Sequence, residues 1–124
     1  MGSPQQPSRV VTQLVAALRV LAATPKAQRE WLAHYLREAR ARTDSDFWVE
    51  ELALQFEDAA QALPQFGVLR DEEERALAQL TAQLAKLRNS PGMELFRADA
   101  LASRSEWAEV RSLAALALGV LDGR

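Results

Sequence analysis

Asp71–Arg88 reads DEEERALAQLTAQLAKLR. Leu77, Leu80, Leu84 and Leu87 follow one another at three and four residues, so all four lie on one side of an α-helix. Four acids, Asp71, Glu72, Glu73 and Glu74, fill the first turn, where the helix dipole favours negative charge. Asp71 with Glu74 three residues on is a variant of the capping box and predicts a helix start at Asp71. The leucine seam covers less than two heptads, too short for a coiled coil. It must therefore be buried against other helices.

The same punctuation recurs on both sides. Upstream, Val10, Leu14, Leu18 and Leu21 make one stripe over about Arg9–Ala23, with Val11, Val15 and Ala22 beside it. Thr24-Pro25 ends that helix and starts the next, Thr24 as cap and Pro25 at the first helical position. This second helix runs to about Arg42, with Ala27, Trp31, Tyr35 and Ala39 on its expected inner face and Leu32 and Leu36 flanking. Thr43-Asp44-Ser45-Asp46 is a turn. A third helix over about Phe47–Leu63 places Trp48, Leu52, Phe56, Ala59 and Leu63 inward and ends at Pro64, with Gln65-Phe66-Gly67 as the turn. Downstream, Ser90-Pro91-Gly92 breaks the chain, and Met93–Ala102 reads as a short helix or turn packed by Leu95, Phe96 and Leu101. Ser103 and Glu106 match a capping box for a last helix running to about Leu121. Trp107, Val110, Ala114, Ala117 and Leu121 form its main face. Leu113–Leu121 (LAALALGVL) is apolar nearly all round, so the expectation is a helix surrounded by others or covered by a partner.

Composition agrees. The 124 residues are 48% hydrophobic and 26% charged, and 23 Ala and 19 Leu leave little that favours strands. The fold class is all-α, a single compact bundle of about five helices over residues 9–124. Residues 1–8 (MGSPQQPS), polar and without an apolar period, are expected to be a disordered N-terminal tail. Gln13 and Arg19 interrupt the Val10–Ala23 run, which argues against a secretory signal. No stretch approaches the ~18 apolar residues that cross a bilayer. The expected location is the cytoplasm.

Chemistry is mostly excluded. There is no cysteine and a single histidine, His34, so thiolate sites, cysteine nucleophiles and multi-histidine metal centres are out. Glu30 and Glu38 lie four residues either side of His34, an arrangement read as a solvated ion-pair face. No Gly-x-Ser-x-Gly turn and no Gly-rich phosphate loop is present. The expectation is a protein without catalytic function, metal or cofactor. An enzyme using His34 is the least favoured of the readings.

Charge is what departs from the generic. Residues 1–42 hold seven basic and two acidic side chains (net +5), residues 43–74 one and ten (net −9), and residues 75–124 seven and five (net +2). Dipole complementarity explains acids at helix starts but not Glu57 and Asp58, well inside the third helix. A helix carrying Asp46, Glu50, Glu51, Glu57 and Asp58 would be repelled by phosphate, so nucleic acid is not the expected partner. The pattern instead predicts an interaction module that docks a basic protein partner through Asp46, Glu50, Glu51, Glu57, Asp58, Glu72 and Glu73, with Phe47 and Leu54 as apolar contacts. By analogy of layout alone, this suits a small bacterial immunity or adaptor-type protein. The alternative is a homodimeric or small-ligand-binding bundle that buries the apolar end of the last helix. No membrane partner is expected.

Overall fold

The computed structural model describes residues 7–38, 49–63, 67–90, 95 and 99–122. These form six helices and no strand: α1 (Pro7–Ala22), α2 (Pro25–Glu38), α3 (Glu50–Ala62), α4 (Asp71–Asn89), α5 (Ala100–Ser103) and α6 (Ser105–Asp122). The all-α bundle expected from the periodicity is what the structure holds. The Thr43–Asp46 turn, Phe47, Trp48 and Phe96 lie outside the described residues.

Helix α1 packs against both α3 and α6, α6 packs against α4, and α4 meets α3 to close the ring. Helix α2 also meets the single-turn helix α5. Every predicted α1 stripe residue, Val10, Leu14, Leu18 and Leu21, is buried, as are Leu77, Leu80, Leu84 and Leu87 of α4. Trp107, Val110, Ala114, Ala117 and Leu121 bury the matching face of α6. Helices α4 and α6 run antiparallel, because Arg70 at the start of α4 donates to the Val120 carbonyl and Gln83 further along donates to the Glu106 carbonyl. The Trp107 indole N–H donates to the Leu95 carbonyl, which satisfies the one polar atom of the largest core side chain.

Three expectations shift. The α2 face is rotated by about one residue: Ala27 is exposed and Trp31 half-buried, while Gln28 and Leu32 point inward. The cause is polar. Gln28 Nε2 donates to the Val20 and Leu21 carbonyls at 3.1 and 2.9 Å, adding a second bond to Val20, which already accepts from the Ala23 N–H, and tying down the Leu21 carbonyl in the last turn of α1. Thr24 does cap α2 as expected, its Oγ1 accepting from the Ala27 N–H. The last helix starts at Ser105, two residues after the expected Ser103, because Ser103 closes α5 by donating to the Asp99 carbonyl. Finally, α6 is not covered all round within the chain: Ala115, Leu116 and Gly119 are exposed, Leu116 to 54%.

Exposure should separate two leucines of the same composition. Leu80→Ala should lower the urea-unfolding free energy by about 2–5 kcal/mol, whereas Leu116→Ala should cost under about 1 kcal/mol. Equal losses at the two positions would contradict the placement of the α6 outer face.

Candidate functional site

On a helix, the neighbours of residue 54 are residues three and four away on either side. In α3 these are Glu50, Glu51, Glu57 and Asp58, so Leu54 is ringed by four carboxylates. Leu54 is one of two large hydrophobic side chains exposed among the described residues, at 37%. The opposite face of the helix, Leu52, Ala53, Phe56 and Ala59, is buried and fixes the orientation of the ring.

The ring has two unlike flanks. Glu50 and Glu57, seven residues apart, share one flank and both meet Arg88 from the last turn of α4. Arg88 Nη1 donates to Glu57 Oε2, and Arg88 Nε lies 3.4 Å from Glu50 Oε2. The bond to Glu57 holds the Arg88 guanidinium above its ordinary value, burial opposing it and the charges of Glu57 and Glu50 reinforcing it. A cation raised in this way contributes stability at every pH below its ordinary value and loses it only as pH rises through the raised one. For an arginine that window lies above the working range, so alkali leaves this pair intact and salt weakens it. On the other flank, Glu51 is half-buried and Asp58 exposed, and neither has an ion pair among the described residues.

The remaining expected site residues separate from this ring. Asp46 and Phe47 lie outside the described residues. Glu72 is exposed, with Arg70 3.9 Å away. Glu73 is corrected: it is 1% exposed and cannot present its charge to a partner. Its Oε1 accepts from the Arg70 backbone N–H at 2.8 Å and its Oε2 from the Arg70 guanidinium at 3.2 Å. The cap is therefore made by the Glu73 carboxylate on Arg70, one residue earlier than the expected Asp71 and Glu74, and it runs one way, since a guanidinium has no acceptor to return. What sequence reasoning missed is Arg88, whose meeting with α3 depends on helix order. Glu50 and Glu57 at a spacing of seven were the available signal, since that spacing lets one cation reach both.

His34 is exposed, and among the described residues no group of His, Asp and Glu side chains could hold a metal ion. No helix among them is long and apolar enough to cross a membrane. No protein-family model, curated protein or solved structure matches the chain.

Arg88→Ala should lower stability by about 1 kcal/mol at low salt, because the pair is partly solvated. The deficit relative to the parent chain should narrow at high NaCl, where charges are screened within a few ångströms. A deficit that salt leaves unchanged would assign the role of Arg88 to its aliphatic stem instead.

Proposed function

We propose that this chain is a non-catalytic cytoplasmic interaction module that binds a basic protein through the outer face of α3. The observation that carries the reading is Leu54 at the centre of four acids: an apolar anchor inside a charged rim is the anatomy of a protein docking patch. Arg88 already pairs with Glu50 and Glu57 and offsets one of their two charges, so most of the attraction offered to a partner comes from the Glu51 and Asp58 flank. A partner matching this face presents an apolar pocket for Leu54 and a lysine or arginine beside it. Long-range attraction from the acidic segment steers its approach and makes the complex salt-sensitive. Glu72 extends the acidic surface at the start of α4, and Glu73 takes no part.

Affinity capture from source-cell lysate, washed at low and then moderate salt, should retain a stoichiometric basic protein that the second wash releases. The double variant Glu51→Gln/Asp58→Asn and the single variant Leu54→Ala should each weaken retention by about tenfold or more, on the scale of interface hot spots. Glu50→Gln/Glu57→Gln should weaken it less, since those charges are already paired. Retention of the same protein by all variants would remove the α3 face as the docking site.

A further inference from the structure

The outer side of α4 carries a second surface with the marks of contact. From Ala76 to Ala85 the helix has no charged residue, although acids fill its first turn and Lys86 and Arg88 its last. Ala78, Ala82 and Ala85 are all exposed, and their spacings of four and three set them on one stripe. Along this stripe runs an open groove of about 530 Å³, with Ala60, Leu69 and Leu77 also in its lining. Side chains no larger than a methyl let a second helix axis approach closely. A neutral, apolar stripe about two turns long, on a helix otherwise rich in charge, is the composition of a covered face.

We propose that this groove receives α4 of a second copy of the chain, laid antiparallel. The charge layout selects that occupant. One end of the stripe holds Asp71 and Glu74, with Arg75 beside them, and the other end holds Lys86. A helix of the same sequence running the opposite way brings Lys86 of each copy to the acidic end of the other and lays Ala78 over Ala82. A parallel arrangement would set acid against acid. The antiparallel pair is two-fold symmetric, so each favourable contact occurs twice. From Glu74 to Lys86 the seam is only about 18 Å long at the α-helical rise, so the interface is small and the association weak and concentration-dependent. This inference does not rest on the α3 reading, which uses a different set of side chains.

Sedimentation equilibrium on the full chain tests it, over about 10 μM to about 1 mM, a range suited to an interface this small. The mass should rise from one copy toward two. Lys86→Glu alone, or Asp71→Lys/Glu74→Lys alone, should raise the dissociation constant about three- to tenfold, and combining all three should restore it. Ala82→Glu, at an exposed helical position that leaves the circular dichroism spectrum unchanged, should abolish the association. Three results would overturn the proposal: a single-copy mass across the range, a dimer indifferent to these α4 changes, or a dimer broken by Leu116→Ser but not by them.

Discussion

Burial of one apolar stripe of α6 against α1 and α4 is the constraint on which the other elements depend. Trp107, Val110, Ala114, Ala117 and Leu121 occupy the centre of the bundle, and three of these five are small or β-branched. Alanine at 114 and 117 lets the neighbouring helices come close, while Trp107 fills the space at the other end. The indole N–H would be an expensive orphan at that depth. The Leu95 carbonyl removes the cost, and Leu95 is itself buried in the core. With α6 so placed, α1 and α4 have only one way to bury their own leucines. Helix α3 then closes the ring beside α1.

The apolar period made this arrangement legible. Leu77, Leu80, Leu84 and Leu87, or Val10, Leu14, Leu18 and Leu21, have no second face on which they could be satisfied, so pattern and burial coincide. Helix α2 was harder for the same reason turned round. Its apolar residues are spread widely enough for two faces to compete, and a glutamine decided between them. Hydrophobicity ranks Gln28 as a surface residue, yet it is fully buried with its amide donating to the Val20 and Leu21 carbonyls in the last turn of α1. The cap at α4 sits one residue earlier on similar grounds, as a one-way bond from Arg70 to Glu73. Both Asp71 and Arg70 can precede a helix, and only the three-dimensional reach of Glu73 selects Arg70.

The charge tally was the least spatial reading and changed most. A net −9 over residues 43–74 describes the chain correctly but not the surface. Glu73 is withdrawn into a cap, Glu50 and Glu57 are matched by an arginine from outside the segment, and Glu72 sits near Arg70. What survives is local: a leucine flanked on one side by two acids that have no ion pair among the described residues. Electrostatic character thus resides in how helices are paired, and linear segregation of charge says only which helices have charge to be paired.

The pairing of α1 with α6 has a consequence in time. These helices are neighbours in space but are separated by most of the chain, so the stripe from Val10 to Leu21 is made long before its partner. During synthesis at roughly 5–20 residues per second, that stripe spends several seconds without the surface meant to cover it. Closing so long a loop is also slow compared with forming local helices. The nascent chain therefore passes through a window in which the apolar side of α1 is open to chaperones and to other chains. The bundle can complete its core only after the last helix has left the ribosome.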